Sequence, residues 1–155
     1  MNDQSQNFDD ALLDALNAFN RDDYETAYKL FLPLAEQGDM FAQHFLALLH
    51  LEEGVNQDYK EAVKLFLLSA EQGNMFAQYG LGYMYYEGQG VPQDYEEAVK
   101  WYRLSAEQGD ADGQCGLGEM YYGGEGVPQD YAEAIKLWKL AAEQGHEEAQ
   151  YNLDN

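Results

Sequence analysis

The sequence predicts an all-α protein built as a stack of helical repeats, two helices to each repeat. Three observations lead there. The tetrapeptide Ala-Glu-Gln-Gly occurs at 35–38, 70–73, 106–109 and 142–145, at spacings of 35, 36 and 36 residues. A fixed period of this size marks a stacked repeat architecture. Gln-Asp-Tyr stands ahead of three of these copies, at 57–59, 93–95 and 129–131, where the Asp is placed to cap a helix. Two loops, 88–92 and 124–128, share Gly-x-Gly-Val-Pro and lead into the next Asp-Tyr.

In chain order, Phe8, Ala11, Leu12, Ala15, Leu16 and Phe19 recur at three- and four-residue steps, one face of an amphipathic helix. Asp9 and Asp10 suit the positive end of its dipole. This predicts a leading helix at about 8–20, with repeats at about 22–56, 57–92, 93–128 and 129–155, all in a single repeat domain spanning 1–155. Asp22-Asp23-Tyr24 replaces Gln-Asp-Tyr in the first copy.

Each first helix is predicted to end at the Gly of Ala-Glu-Gln-Gly, where positive φ costs least. Ala98, Tyr102 and Ala106 lie four residues apart on one face, small alternating with large, so that two helices interlock. Second helices are predicted at about Met40–Glu53, Met75–Glu87, Ala111–Tyr122 and Glu147–Leu153. Gly80, Gly82, Gly116 and Gly118 each lower helix propensity by up to about 1 kcal/mol relative to Ala, and their recurrence suggests close backbone approach. The loop after the first repeat, 53–56, is one residue shorter and lacks the proline, which accounts for the spacing of 35. Pro33 removes one backbone donor and is expected to kink its helix.

Composition narrows function. The 155 residues are enough for one domain with a real core. The net charge is −21, from 29 acids against 8 bases. That argues against neutralising nucleic-acid phosphates and against an anionic membrane surface. It leaves two readings open: solubility alone, or fast, salt-sensitive association with a basic protein partner. The single cysteine forbids an intrachain disulfide, and MNDQSQNFDD has neither the basic nor the apolar region of a signal peptide, so a cytoplasmic location is expected.

The sequence resembles the SEL-1-like repeat family, relatives of tetratricopeptide repeats. The resemblance rests on Asp-Tyr-x-Glu-Ala, Ala-Glu-Gln-Gly, Ala-Gln-x-x-Leu-Gly-x-Met-Tyr and Gly-x-Gly-Val-Pro, and covers about residues 22–153. In the third repeat it is carried by Asp94, Tyr95, Ala98, Trp101, Tyr102, Ala106, Gly109, Gln114, Leu117, Gly118, Met120, Tyr121, Gly126 and Val127. It implies a right-handed α-α superhelix of antiparallel helix pairs whose first helices line a concave face. It further implies a scaffold or adaptor in protein complexes, bacterial members being linked to host contact, secretion or interbacterial competition. The family motif carries no catalytic residue.

Departures from that motif mark candidate partner-binding positions. The family's acidic or polar residue before the Gln of the second helix is kept as Asp112 and Glu148 but replaced by Phe41 and Phe76, beside Met40 and Met75. Two Met-Phe pairs in register either form an apolar patch, with side chains favoured as interface anchors, or are buried by neighbouring repeats. Late in the first helix, the family's Arg-Lys tendency becomes Leu32-Pro33, Leu67-Leu68, Arg103-Leu104 and Lys139-Leu140, which is either binding surface or extra core. Most of the 13 tyrosines sit at motif positions, whereas Tyr83, Tyr86 and Tyr122 are less constrained and available to a surface. The candidate protein-binding set is Leu32, Met40, Phe41, Leu67, Leu68, Met75, Phe76, Tyr83 and Tyr86.

Catalytic and metal chemistry is not expected, and no cofactor is. His44 and His50 lie six residues apart, not at the i, i+4 step that brings two ligands together. Asp110-Ala111-Asp112-Gly113 lacks the later ligands of a calcium loop. The Gly-x-Gly loops follow helices and lack the lysine of a phosphate loop. Cys115 is expected to be a buried structural thiol. The expected function is therefore a non-enzymatic protein-binding module, in its sharpest form an immunity protein that neutralises a basic bacterial toxin. The alternatives are a nucleic-acid mimic that inhibits a DNA- or RNA-binding protein, and an assembly scaffold. The expected oligomeric state is a monomer or a weak homodimer, through packing surface left open by a short last helix.

Overall fold

The computed structural model describes residues 3–53 and 57–155. Residues 54–56 of the short proline-free loop noted above lie outside the described residues. Among the described residues there are nine α-helices and no strand: α1 (Asp3–Phe19), α2 (Tyr24–Glu36), α3 (Met40–Leu49), α4 (Tyr59–Glu71), α5 (Met75–Glu87), α6 (Tyr95–Glu107), α7 (Ala111–Gly123), α8 (Tyr131–Glu143) and α9 (Glu147–Asp154). They fall into two compact units, Met1–Gln72 with α1 to α4 and Gly73–Asn155 with α5 to α9. Inside each unit consecutive helices pack on one another, as stacked helix pairs require.

The four first helices, α2, α4, α6 and α8, are 13 residues long, because the same signals start and stop each. The Asp ahead of each caps it. Asp58 accepts from the backbone N–H groups of Lys60 and Glu61, and Asp94 from those of Glu96 and Glu97. Asp23 and Asp130 accept from Thr26 and Glu133. Such a cap stabilises a helix by about 1 kcal/mol. At the other end the glutamine of Ala-Glu-Gln-Gly is the C-cap, and the glycine takes φ of 95°, 96°, 92° and 87° at Gly38, Gly73, Gly109 and Gly145. The next residue already caps the second helix: Asp39, Asn74, Asp110 and, in the last copy, His146, whose Nδ1 accepts from Ala149.

Two expected boundaries differ. α1 begins five residues earlier than the apolar pattern, because its polar first turns carry no apolar periodicity. α3 stops at Leu49 instead of continuing to Glu53: i→i+3 bonds from Leu51 and Glu52 tighten the chain into a turn, and the His50 carbonyl accepts from Asp58 N–H. Pro33 lies inside α2, which runs on to Glu36. The proline falls in the last turn, where its carbonyl is taken by the backbone N–H and side-chain amide of Gln37.

The glutamine of the signature does more than end a helix. In the first unit Gln72 Nε2 donates to Gly38 O at 3.1 Å and to Gln43 Oε1 at 2.8 Å. In the second, Gln108 does the same to Gly73 O and Gln78, and Gln144 to Gly109 O and Gln114. Ser69 and Ser105 hydroxyls add bonds to the Met40 and Met75 carbonyls. Each of these ties one repeat's first helix to the exit turn or second helix of the repeat before it.

The repeated glycines admit aromatic rings as well as backbone. A Cβ on Gly82 would stand 2.7 Å from Tyr102 Cδ1, and one on Gly118 would stand 2.7 Å from Trp138 Nε1. The Ala98 and Ala134 carbonyls lie 3.3 Å from the same two Cβ positions, so the backbones also approach closely.

Candidate functional site

The electrostatic surface follows from how the few cations are used. Lys29, Lys64, Lys100 and Lys136 each pair with a glutamate one turn earlier on the same helix: Glu25, Glu61, Glu97 and Glu133. Arg103 is held over Tyr121, with Nη2 3.0 Å from the hydroxyl. Half of the eight bases are thus engaged locally with acids, and the remaining carboxylates leave a strongly negative surface.

In the first unit the candidate residues divide by burial. Phe41, in the first turn of α3, is 39% exposed, and Leu67 and Leu68 lie on the open side of α4. Leu32 and Met40 are half-buried. In the second unit Phe76 is 45% exposed at the matching position of α5, Tyr83 is exposed, and Met75 and Tyr86 are half-buried. The phenylalanines are therefore surface side chains, while their methionine neighbours sit partly in the packing. The leucines that replace the family's basic residues are also outside the core: Leu68, Leu104 and Leu140 occupy one repeat position and all are exposed.

Burial holds His44 and Cys115 in their neutral forms. The His44 ring lies against Phe45 and Phe66, and burial lowers its pKa to about 4, so it is neutral at pH 7. His50 is buried with its ring edge-on to Tyr28. Cys115 is buried, and burial together with the charges of Glu119 and Glu148 pushes its thiol up to about 12. Ligand atoms of Cys115, Glu119 and Glu148 lie within 4.8 Å of one another. With the thiol held protonated, the trio presents one neutral sulfur beside two carboxylates. Asp110 is buried where it accepts from Gly113 N–H and meets the Ser105 hydroxyl, and burial raises its carboxyl above the usual range.

Sequence reasoning named Tyr122 as available to a surface and did not single out Tyr131, Ile135 or Tyr151. Tyr122, Tyr131, Ile135 and Tyr151 are large apolar side chains exposed in the second unit. Ile135 was hidden because its repeat counterparts, Val63 and Val99, are buried.

A family model for the Sel1 repeat matches residues 20–39, 41–74, 76–110 and 111–146. The chain belongs to the Sel1-repeat family. Solved structures agree. A protective antigen of uropathogenic Escherichia coli with an SLR fold is 44% identical at a TM-score of 0.76, over 79% of this chain and 27% of that one. A Sel1-repeat protein from Oxalobacter formigenes is 32% identical at a TM-score of 0.86, over 93% of this chain and 58% of that one. Cysteine-rich protein B of Helicobacter pylori, 24% identical at a TM-score of 0.66 over 84% of this chain and 95% of that one, shares the fold. The chain thus spans about a quarter and somewhat over half the length of the first two. No curated protein matches it. Sel1-repeat proteins are non-catalytic protein–protein interaction modules, and the stacked helix pairs of each unit are the all-α solenoid architecture of that family. Among the described residues no helix is long and apolar enough to cross a membrane.

Proposed function

We propose that this Sel1-repeat chain binds a basic protein partner, with exposed apolar residues as anchors and the acidic surface as the steering field. The observation that carries this reading is the exposure of Phe41 and Phe76 on a chain of net charge −21. Solubility alone would favour acids at those positions, as the third and fourth repeats have. Desolvated aromatic anchors ringed by charge are a common source of affinity, and the charge raises the association rate. Its sharpest form is a stoichiometric inhibitor in the cytoplasm that neutralises a cationic bacterial toxin. A nucleic-acid mimic would need rows of carboxylates and gains nothing from exposed phenylalanines.

The test is capture on the immobilised chain at low and at high salt, with the retained protein identified by mass spectrometry and its affinity then measured. A basic protein held at low salt and weakened at high salt is expected. Phe41→Ala with Phe76→Ala should weaken it at least tenfold, about 1.4 kcal/mol, while leaving the melting temperature unchanged because both side chains are exposed. Retention of no basic protein at low salt would refute the reading.

A further inference from the structure

We propose that Cys115, Glu119 and Glu148, brought together by α7 and α9 of the second unit, bind a divalent metal ion of zinc-like softness. Each offers one donor atom, the Cys115 Sγ and one oxygen of either carboxylate, and these atoms lie within 4.8 Å of one another. Metal–ligand bonds of about 2.0–2.3 Å set tetrahedral donors roughly 3.5 Å apart. Both glutamates are exposed and turn about several single bonds, so they can close that difference around the buried sulfur.

Two helices build the site. Cys115 and Glu119 are four residues apart on α7 and so share one face. Glu148 comes from the first turn of α9. Two bridges, flanking Glu148 in sequence, hold α9 alongside α7: His146 Nε2 lies 3.0 Å from Asp112 Oδ1, and Asn152 Nδ2 donates to Glu119 Oε1 at 3.5 Å. Stacking of the repeats does not require donors here. The positions of Cys115 and Glu119 hold His44 and Leu48 in the first repeat, and Tyr79 and Tyr83 in the second. The third copy alone sets a thiol and a carboxylate one turn apart at these places.

The thiol is what distinguishes this place from the rest of an acidic surface. Cys115 is 3% exposed, and the one hydrogen-bond partner of its Sγ among the described residues is Glu119 Oε1, a long contact at 4.0 Å inside the trio itself. A buried donor is thus aimed at two carboxylates that have no lysine or arginine partner among the described residues. Carboxylates alone suit magnesium or calcium, whereas a thiolate moves the preference to zinc. On binding, the metal replaces the Sγ proton, which passes to solvent, and two positive charges meet three negative ones. Three protein donors leave the fourth tetrahedral position to water. The site stands apart from the reading of the chain as a binder of basic proteins.

The test is titration of the reduced, metal-free chain with Co²⁺, followed by competition with Zn²⁺ and with Mg²⁺. A thiolate-to-cobalt charge-transfer band that saturates at one equivalent is expected, lost on adding Zn²⁺ and kept in excess Mg²⁺. Cys115→Ser should abolish the band. Because Cys115 is buried, Glu148→Gln serves as the second variant: its side chain is exposed, so circular dichroism should show the fold unchanged while cobalt affinity falls about tenfold or more. Glu36→Gln with Glu71→Gln, exposed acids of the first unit, should leave the affinity as it was. Absence of the band at one equivalent, or an affinity that Glu148→Gln leaves intact, would overturn the site. Displacement of Co²⁺ by equimolar Mg²⁺ would make the binding mere screening by an acidic surface and overturn it as well.

Discussion

The two units fill the same repeat positions in opposite ways. In the first, Phe45 on α3 stacks on Phe31 of α2 with centroids 5.3 Å apart and planes 6° from parallel, and Phe19 of α1 meets Phe45 edge-on at 5.1 Å. In the second, the positions that correspond to Phe45 are Gly80 and Gly116, and the volume comes from the facing helix. Tyr102 lies 3.3 Å from where a Gly116 Cβ would be, and Trp138 lies against Gly118. The series Phe31, Phe66, Tyr102, Trp138 grows along the chain while Ala47, Gly82, Gly118 shrinks. What is specified is the summed volume between two helices, and not the residue at one position.

The largest effect should come from the rings. Phe31→Ala and Trp138→Ala should each cost about 3–5 kcal/mol in urea unfolding, since one is fully buried and the other nearly so. If Trp138→Ala proved much milder than Phe31→Ala, the second unit would be the looser of the two. Next comes the glycine. Gly118→Ala should destabilise by about 1–3 kcal/mol, because the new methyl meets Trp138 Nε1 and Cδ1 at 2.7 and 2.8 Å. The reciprocal Ala47→Gly in the first unit should cost about 1–2 kcal/mol, from backbone entropy and the loss of one buried methyl. Combining Gly118→Ala with Trp138→Phe should recover part of the loss, and strict additivity would disprove the volume exchange.

A smaller effect is expected where the units agree. Gln108→Ala removes the bonds to Gly73 O and Gln78 and should cost about 1 kcal/mol, as should Gln72→Ala in the first unit. Unequal losses would show that the clamp matters more in one unit. The smallest concerns pH. Burial raises the Asp110 carboxyl in the folded state, so its contribution to stability is greatest below the unfolded pKa and is lost as pH rises through the folded value. Asp110→Asn should therefore be neutral or stabilising at pH 7 and flatten the stability profile over the acid range. The second repeat already has Asn74 there, and asparagine caps as well as aspartate.

Much of this was legible in the sequence. Helix starts and stops are local chemistry: an aspartate oxygen satisfies the first backbone donors, and a glycine takes positive φ where a helix must end. These interactions involve residues within a few positions of one another, so Asp58, Asp94 and Gly109 declared the repeats unaided. The exceptions were turns without such a signal, as after Leu49. The charge was legible too, though not its arrangement.

Only the tertiary structure decided which copies of a position are buried. Val99 and Ile135 occupy the same place in the repeat, yet one is core and the other is exposed, because burial depends on what packs against each copy. The same holds for Gln108, whose side chain in sequence is one more helix-end residue and in space is a clamp on Gly73 and Gln78, 35 and 30 residues away. Short-range chemistry is written in the repeat unit; the use of each surface is set by packing between units of sequence that only folding brings together.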